Sequence, residues 1–352
     1  MGGVFYFRGG TFFAAVTTLA EPAHSPLSPT NIFAPVSTPA QSIFELSLFV
    51  FTITATIFIV VFSLLAYAVV KFRRRRTNDG REPAQVYGSI QVELAWTIIP
   101  VLIVVVLFLA TARVISGIQN VEQPANAINV TVIGHQYWWE YRYPSFNVVT
   151  ANELHIPVSD PAHPTPTRSH LNTHRATFLT LLSADTDHSF WVPRLGGKTD
   201  LIPNHTNSMW MDPYETGLYL GQCAQYCGTQ HAKMLLRVYV DSREDFTRWI
   251  QEQQQPAHIA EKASQGRLIF EQTACINCHT VAGTPANGTD GPDLTHLMSR
   301  QTIAAGAASN TLGNLIAWIH DPAVIKPGCK MPSMGLSAHQ SAAIAAYLET
   351  LR

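Results

Sequence analysis

Two long apolar runs constrain the fold of this chain more than any other sequence feature. Residues 46–70 are 25 consecutive positions without a charged side chain, and residues 94–112 are another 19. A helix needs about 20 apolar residues to cross the hydrocarbon core of a bilayer. We therefore predict two transmembrane helices joined by a short loop. For the second, shorter run, a buried core helix is the alternative.

Basic residues between the runs predict the orientation in the membrane. The segment KFRRRRTNDGR carries six of them: Lys71, Arg73, Arg74, Arg75, Arg76 and Arg81. Because short cytoplasmic loops are enriched in Lys and Arg, this loop is predicted to lie in the cytoplasm. A nucleic-acid-binding or targeting role is the weaker interpretation, since the loop is confined between two spans and the net charge is only −1. Everything after Arg113 is then outside.

The chain is predicted to be a multidomain membrane protein with a helical hairpin over residues 43–117. Segments such as INVTVIGHQYWWEYRY and LLRVYV alternate apolar and polar residues between Pro and Gly. This pattern is typical of an all-β sandwich or barrel, here over residues 124–250. The polar segment 251–262 is a linker, and helical periodicity then predicts an all-α domain over residues 263–352.

Two segments have weaker signals. In residues 1–42, Arg8 precedes TFFAAVTTLA, a pattern compatible with a signal peptide whose cleavage stays open. Inside the β domain, PVSDPAHPTPTRSHLNTH is predicted to be a loop. Its His163, His170 and His174 favour a solvated loop over a metal site, because no cysteine or carboxylate cluster accompanies them.

The five cysteines all lie in the C-terminal half of the chain, and four of them form close pairs: Cys223, Cys227, Cys275, Cys278 and Cys329. Such clustering favours metal binding or haem attachment over a disulfide framework.

The first pair belongs to a set of soft metal ligands. The stretch GQCAQYCGTQHAKM contains Cys223, Cys227, His231 and Met234. Thiolate, thioether and imidazole ligands together select copper. Two cysteines suggest two copper ions bridged by both sulfurs, and His188 in SADTDHSFWVP is the best candidate for a second histidine. A structural zinc, which has no need of methionine, and a Cys223–Cys227 disulfide are the alternatives.

This segment resembles the copper A loop of cytochrome c oxidase subunit II. The likeness extends over GHQYWWEYRY, ANELHIPV, DHSFWVPRLGGKTDLIPN and the transmembrane hairpin. It implies a cupredoxin-like fold and a dinuclear copper A centre held by these ligands: His188, Cys223, the backbone carbonyl of Gln225, Cys227, His231 and Met234. The family usually has Glu at position 225, where it reaches a magnesium ion shared with subunit I. A neutral amide is a poorer ligand for a hard cation, so magnesium stays open.

The resemblance also implies roles for residues outside the metal set. It suggests that the cluster Tyr137, Trp138 and Trp139 receives electrons, although the family commonly has Trp where this chain has Tyr137. Core packing or interfacial anchoring is the alternative for these aromatics. Glu93, in QVELAWTIIP, matches the glutamate at the mouth of a proton pathway into subunit I. A solvated interfacial carboxylate is the alternative.

The second cysteine motif, CINCH, fits covalent attachment of a c-type haem. Cys275 and Cys278 would form the thioethers and His279 would be the proximal ligand. For the sixth ligand, KPGCKMPSM offers Met331 and Met334. The segment resembles the KPG-x-x-MP loop of class I cytochromes c, which selects Met331. A thioredoxin-like redox pair is the alternative, but the βαβ surroundings are missing; Cys329 is predicted to be a free thiol.

Together these features resemble the fused subunit II of a caa3-type haem-copper oxidase. The resemblance implies a bacterial inner-membrane protein whose haem c passes electrons to copper A and then to subunit I of a proton-pumping oxidase. Its partners would be the other oxidase subunits and an upstream donor, either a cytochrome c or a quinol-oxidising complex. A membrane-anchored carrier serving a different reductase and a copper-delivery protein are the alternatives. The complete copper ligand set disfavours a quinol oxidase subunit.

Overall fold

The structure is a computed structural model, and it describes residues 31–73, 85, 87–123, 127–159, 176–258, 260 and 263–352. Three sequence predictions fall wholly or largely outside the described residues: the signal peptide, the arginine run from Arg74 onward, and the loop that contains His163, His170 and His174.

Two long helices, α1 (Thr38–Phe72) and α2 (Ile90–Gln119), have 35 and 30 residues and coincide with the apolar runs. Both are long and apolar enough to cross a membrane, and their most apolar stretches are not buried against the rest of the chain. At a rise of about 1.5 Å per residue, each exceeds the bilayer core of roughly 30 Å. The helices therefore extend beyond the bilayer core.

The β domain is a sandwich of two five-stranded sheets, as predicted. One sheet has the order β3-β2-β1-β5-β8 and the other β4-β10-β9-β6-β7. The strands are β1 (Ile128–His135), β2 (Trp138–Tyr143), β3 (Val148–Ala151), β4 (Glu153–Pro157), β5 (Thr177–Ser183), β6 (His188–Trp191), β7 (Thr199–Leu201), β8 (Asn207–Met211), β9 (Gly217–Cys223) and β10 (Leu235–Asp241). Every second residue of β10 is buried, because alternate side chains of a strand face opposite sides of the sheet.

Helix α3 (Arg243–Gln253) closes one end of the sandwich. The Ser242 side chain accepts a hydrogen bond from the Asp245 backbone N–H and so caps the helix. Trp249 packs edge-on against Tyr143, with ring centroids 5.3 Å apart.

The C-terminal region is predominantly helical and has its own apolar core. Its elements are α4 (Ser264–Gln272), α5 (Cys275–Cys278), β11 (Thr302–Ile303), β12 (Ala308–Ser309), α6 (Leu312–His320), α7 (Pro322–Ile325) and α8 (Ala338–Leu348). The Ser337 and Gln340 side chains form a capping box at the start of α8. Apart from the two-residue strands β11 and β12, the all-α prediction is confirmed.

The outer ends of both membrane helices are fastened to the β domain. The partly buried Asp212 carboxylate accepts hydrogen bonds from the backbone N–H and the hydroxyl of Thr38, the first residue of α1. At the end of α2, the Trp210 indole donates to the Ile118 carbonyl over 2.8 Å. These bonds hold the sandwich at one end of the hairpin.

The contact at Asp212 predicts a pH-dependent component of stability. Burial raises the pKa of Asp212 from 3.8 to about 6, although the hydrogen bonds from Thr38 oppose this change. Because the folded pKa is above the unfolded one, this stabilising component is present at low pH and is lost as pH rises through about 6. As the pH falls from roughly 7 to 5, the free energy of unfolding of the wild type should increase by about 1 kcal/mol because of Asp212. The Asp212→Asn variant should lack this increase.

The measurement is thermal unfolding of the full chain in detergent at both pH values. The exposed Asp187→Asn is the matched control and keeps the wild-type difference. At the lower pH, the melting temperature of the wild type should rise by about 2–4 °C more than that of Asp212→Asn. Equal shifts in the wild type and Asp212→Asn would show that Asp212 is not the source of the pH dependence.

Candidate metal centres

The loop between β9 and β10 is folded back against β6. At its two ends, the Cys223 backbone N–H donates to the Met234 carbonyl over 3.0 Å. The next residue, Ala224, donates its N–H to the Ser189 carbonyl on β6, also over 3.0 Å. A ligand at the start of β6 is thereby brought next to the ligands of the loop.

The structure brings together all six donors that the resemblance assigns to copper. The sulfurs of Cys223 and Cys227 lie 3.9 Å apart. Four further donors surround them: His188 Nδ1 at 3.9 Å and the Gln225 carbonyl at 3.2 Å from Cys223, and His231 Nδ1 at 3.7 Å and Met234 Sδ at 3.8 Å from Cys227. This geometry fits soft metal ions held between the two sulfurs.

The free, buried sulfurs of Cys223 and Cys227 argue against a disulfide and a structural zinc. Both cysteines are free thiols, and their 3.9 Å separation is far longer than a disulfide bond. The fully buried thioether of Met234 completes a softer set than structural zinc requires. The hydrogen bond between the two sulfurs lowers the pKa of Cys223 and raises that of Cys227. A lowered pKa favours the thiolate form that binds metal.

His188 is held by contacts on several sides. Its Nε2 donates to the Asp185 carboxylate over 2.8 Å, which directs Nδ1 towards Cys223. Burial alone lowers the pKa of His188, but the hydrogen bonds with Asp185 and Cys223 outweigh it and raise the pKa. Gly134 lies against the ring: a Cβ there would be 2.8 Å from the ring carbon Cδ2. Trp139 packs edge-on, with ring centroids 6.0 Å apart.

A second site is a cavity of about 410 Å³ between the helical domain and the β domain. Cys275, Cys278, His279, Met331 and Met334 line it, together with apolar side chains from α4, α6 and α8: Phe270, Leu315, Trp318, Ile319, Ile344 and Leu348. The cysteine pair lies on a short helix in helical surroundings, which disfavours a thioredoxin-like pair. An apolar cavity with two thiols and an imidazole fits a covalently attached porphyrin.

The orientation of His279 fits an iron ligand. Its Nδ1 donates to the Pro292 carbonyl over 2.8 Å, so Nε2 is the nitrogen left for a metal. Burial lowers the pKa of His279, which favours the neutral ring that a metal needs.

Arg300, a buried arginine on the cavity wall, was not predicted from the sequence. Its Nη2 donates to the Asp293 carbonyl over 2.5 Å, but its Nε has no acceptor within the described residues. An unpaired buried guanidinium N–H is costly, and porphyrin carboxylates are acceptors that would satisfy it. Its signal in the sequence is weak, because nothing near Arg300 marks it as buried.

The three predicted aromatics lie between the two sites. Tyr137 and Trp138 line the cavity, whereas Trp139 is buried against His188, a predicted copper ligand. The Tyr137 hydroxyl contacts the Thr229 side chain in the copper loop over 3.0 Å. Gly228 makes this approach feasible, since its φ is +124° and a Cβ would lie 2.5 Å from that hydroxyl.

Glu93 is remote from both sites. It lies in the first turn of α2, at the end opposite to Ile118, which contacts the β domain. With about 1.5 Å per residue, these two ends are separated by roughly 40 Å. The structure therefore leaves Glu93 outside the metal centres.

Asp185 generates a prediction for copper binding, because it is the partner that orients His188. We expect Asp185→Ala to weaken copper binding about tenfold, the usual effect of removing such a hydrogen-bond partner. Competition with a copper chelator measures the affinity. Asp187→Ala, an exposed neighbour, is the control with wild-type affinity. Equal affinities for the two variants would show that Asp185 does not position the ring.

Comparison with known proteins identifies related domains along the chain. Three family profiles match successive regions of the chain. Residues 28–114 match the transmembrane domain of cytochrome c oxidase subunit II, and residues 128–240 match its periplasmic domain. Residues 263–352 match cytochrome c.

Curated relatives agree over most of the chain, and each is named cytochrome c oxidase subunit 2. The protein of Alkalihalophilus pseudofirmus is 33% identical over 330 residues, which cover 90% of each chain. That of Bacillus sp. strain PS3 is 31% identical and covers 80% of each chain. That of Bacillus subtilis is 29% identical and covers 81% of this chain and 82% of the relative. The chain therefore belongs to the cytochrome c oxidase subunit II family, as a membrane-anchored bacterial oxidase subunit with periplasmic copper and cytochrome c domains.

Proposed function

We propose that this chain receives electrons for a proton-pumping terminal oxidase and passes them, one at a time, from haem c to dinuclear copper A. Subunit I then accepts them and reduces oxygen to water. The observation that carries the proposal is one stretch of β-domain backbone that touches both sites. Tyr137 and Trp138 line the haem cavity, and Gln136 donates its side-chain N–H to the Cys227 carbonyl over 2.5 Å.

At the copper site, the residues of this chain supply a rigid and buried donor set. His188, Cys223, Cys227, His231, Met234 and the Gln225 carbonyl would hold the ions. A copper pair bound there would supply one-electron chemistry. Backbone hydrogen bonds fix the loop ends at Cys223 and Met234, so the protein supplies ligands that move little between oxidation states.

Gln225 distinguishes this chain from the usual family pattern. Its backbone carbonyl lies 3.2 Å from the Cys223 sulfur and serves copper regardless of the side chain. The side chain itself is a neutral amide, which binds magnesium more weakly than a carboxylate does. The backbone of Gln225 can therefore bind copper whether or not its side chain binds magnesium.

At the haem site, Cys275 and Cys278 would attach the porphyrin covalently, and His279 and Met331 would hold its iron. A haem with His and Met ligands supplies one-electron chemistry at a raised potential. The Pro292 carbonyl orients His279, and Arg300 offers its unpaired N–H to a porphyrin carboxylate. The apolar wall from α4, α6 and α8 excludes water.

Glu93 is proposed as the mouth of a proton pathway into subunit I. The support is its exposed place at the cytoplasmic end of α2, on the opposite side of the membrane from the metal sites. In the assembled oxidase we expect Glu93→Gln to slow proton uptake several-fold, because an amide cannot release a proton. Glu45→Gln, at the outer end of α1, is the matched control. Turnover and pumping that match the wild type would remove Glu93 from the pathway.

Purification of the complex with its partners tests the proposed function. We expect two coppers and one covalent haem per chain, with subunit I present, a near-infrared copper A band and a c-type haem band. The upstream donor, a cytochrome c or a quinol-oxidising complex, is then the protein that reduces this haem fastest. Zinc in place of copper, or haem removable by acid-acetone, would refute the proposal. A different reductase as the partner would favour a general electron carrier.

A further inference from the structure

The interface between the β domain and the helical domain contains two buried charged residues. Glu153 is at the start of β4 in the β domain, and Lys326 follows α7 in the helical domain. Each is only 2% exposed. Charged side chains are rarely buried so completely unless their hydrogen bonds are satisfied. The hydrogen-bond partners of Glu153 and Lys326 therefore indicate the role of each residue.

The Glu153 side chain binds backbone groups of the helical domain. Its carboxylate accepts hydrogen bonds from the Gln301 N–H at 3.0 Å and from the Thr302 N–H at 2.9 Å. The Thr302 hydroxyl donates to the same carboxylate over 2.6 Å. Within its own domain, Glu153 has Arg237 at 3.5 Å. Three of the donors that satisfy this charge therefore come from the other domain.

Lys326 makes the reciprocal contact. Its amine donates to the Tyr137 carbonyl in the β domain over 2.8 Å and to the Ala304 carbonyl in its own domain over 3.0 Å. Burial lowers the pKa of Lys326 to about 7, and the amine can donate to both carbonyls in either protonation state. Tyr137 is one of the residues that line the haem cavity.

The segment between these anchors has a backbone shape that fits the interface. Ala304 and Ala305 have φ values of 55° and 57°, a left-handed conformation that is unfavourable for alanine. The Ala305 carbonyl accepts the Leu235 backbone N–H of β10 over 3.1 Å. The hydrogen bond from β10 therefore stabilises the strained turn at Ala304 and Ala305.

We propose that Glu153 and Lys326 are positioning residues that dock the helical domain on the β domain, and that this docking reserves the Tyr137 and Trp138 surface for the chain's own haem. The inference rests on the proposed haem-to-copper transfer for its functional meaning. Breaking either contact leaves buried polar groups unpaired, which favours separation of the domains. A soluble cytochrome cannot reach that surface while it is covered, so an external donor must reduce the haem domain instead.

Hydrogen–deuterium exchange of the full holo chain in detergent tests the docking. Each variant is read at an amide that the substituted residue does not bind. We expect Lys326→Met to accelerate exchange of the Gln301 and Thr302 amides at least about tenfold. We expect Glu153→Ala to do the same for the Leu235 amide, which bonds to Ala305.

Matched controls are the exposed Lys198→Met and Glu215→Ala, which should keep wild-type exchange at these amides. Unchanged exchange in the sandwich strands β1, β5 and β8 and unchanged haem content show that each variant is folded. Wild-type protection at Gln301 and Thr302 in Lys326→Met would overturn the proposal, and so would unprotected amides in the wild type. A light-triggered measurement of haem-to-copper electron transfer on the same samples separates the two proposals. If the wild-type amides are protected but no electron is transferred, the proposed function alone is refuted. If electrons are transferred but the amides are unprotected, the docking alone is refuted.

Discussion

The approach of two buried sulfurs is the contact on which the proposed chemistry depends. Cys223 ends β9 and Cys227 lies in the loop that follows, and their sulfurs are 3.9 Å apart. This separation persists because backbone hydrogen bonds tie the loop to β6 and to the start of β10. The sandwich therefore acts as a rigid frame that holds the soft ligands together, which would lower the reorganisation that the proposed electron transfer requires.

The second site is connected to the first through the β domain. Gln136 reaches the carbonyl of Cys227, and the next two residues line the haem cavity. Lys326 donates to the carbonyl of Tyr137, so the contact that docks the helical domain is made on the same stretch of backbone. The proposed docking contact, haem site and copper site thus share one corner of the sandwich.

Much of this arrangement could be predicted from local sequence patterns. The apolar runs, the alternation in β10, the CINCH motif and the cysteine loop each depend on neighbours in the chain, so periodicity and spacing reveal them. Asp185 was missed although it is three residues from His188, because carboxylates are common in surface loops. Glu153 and Lys326 depend on how two domains meet, and their partners are about 150 residues or more away, so no local pattern marks them.

The rate at which an electron leaves the reduced haem in the full holo chain tests transfer from haem to copper. After light-triggered reduction of the haem, we expect the copper pair to be reduced in a first-order step. Because donor and acceptor belong to the same chain, its rate constant should not change when the protein is diluted tenfold. A rate that falls in proportion to protein concentration, or a haem that stays reduced beside oxidised copper, would rule out electron transfer within one chain.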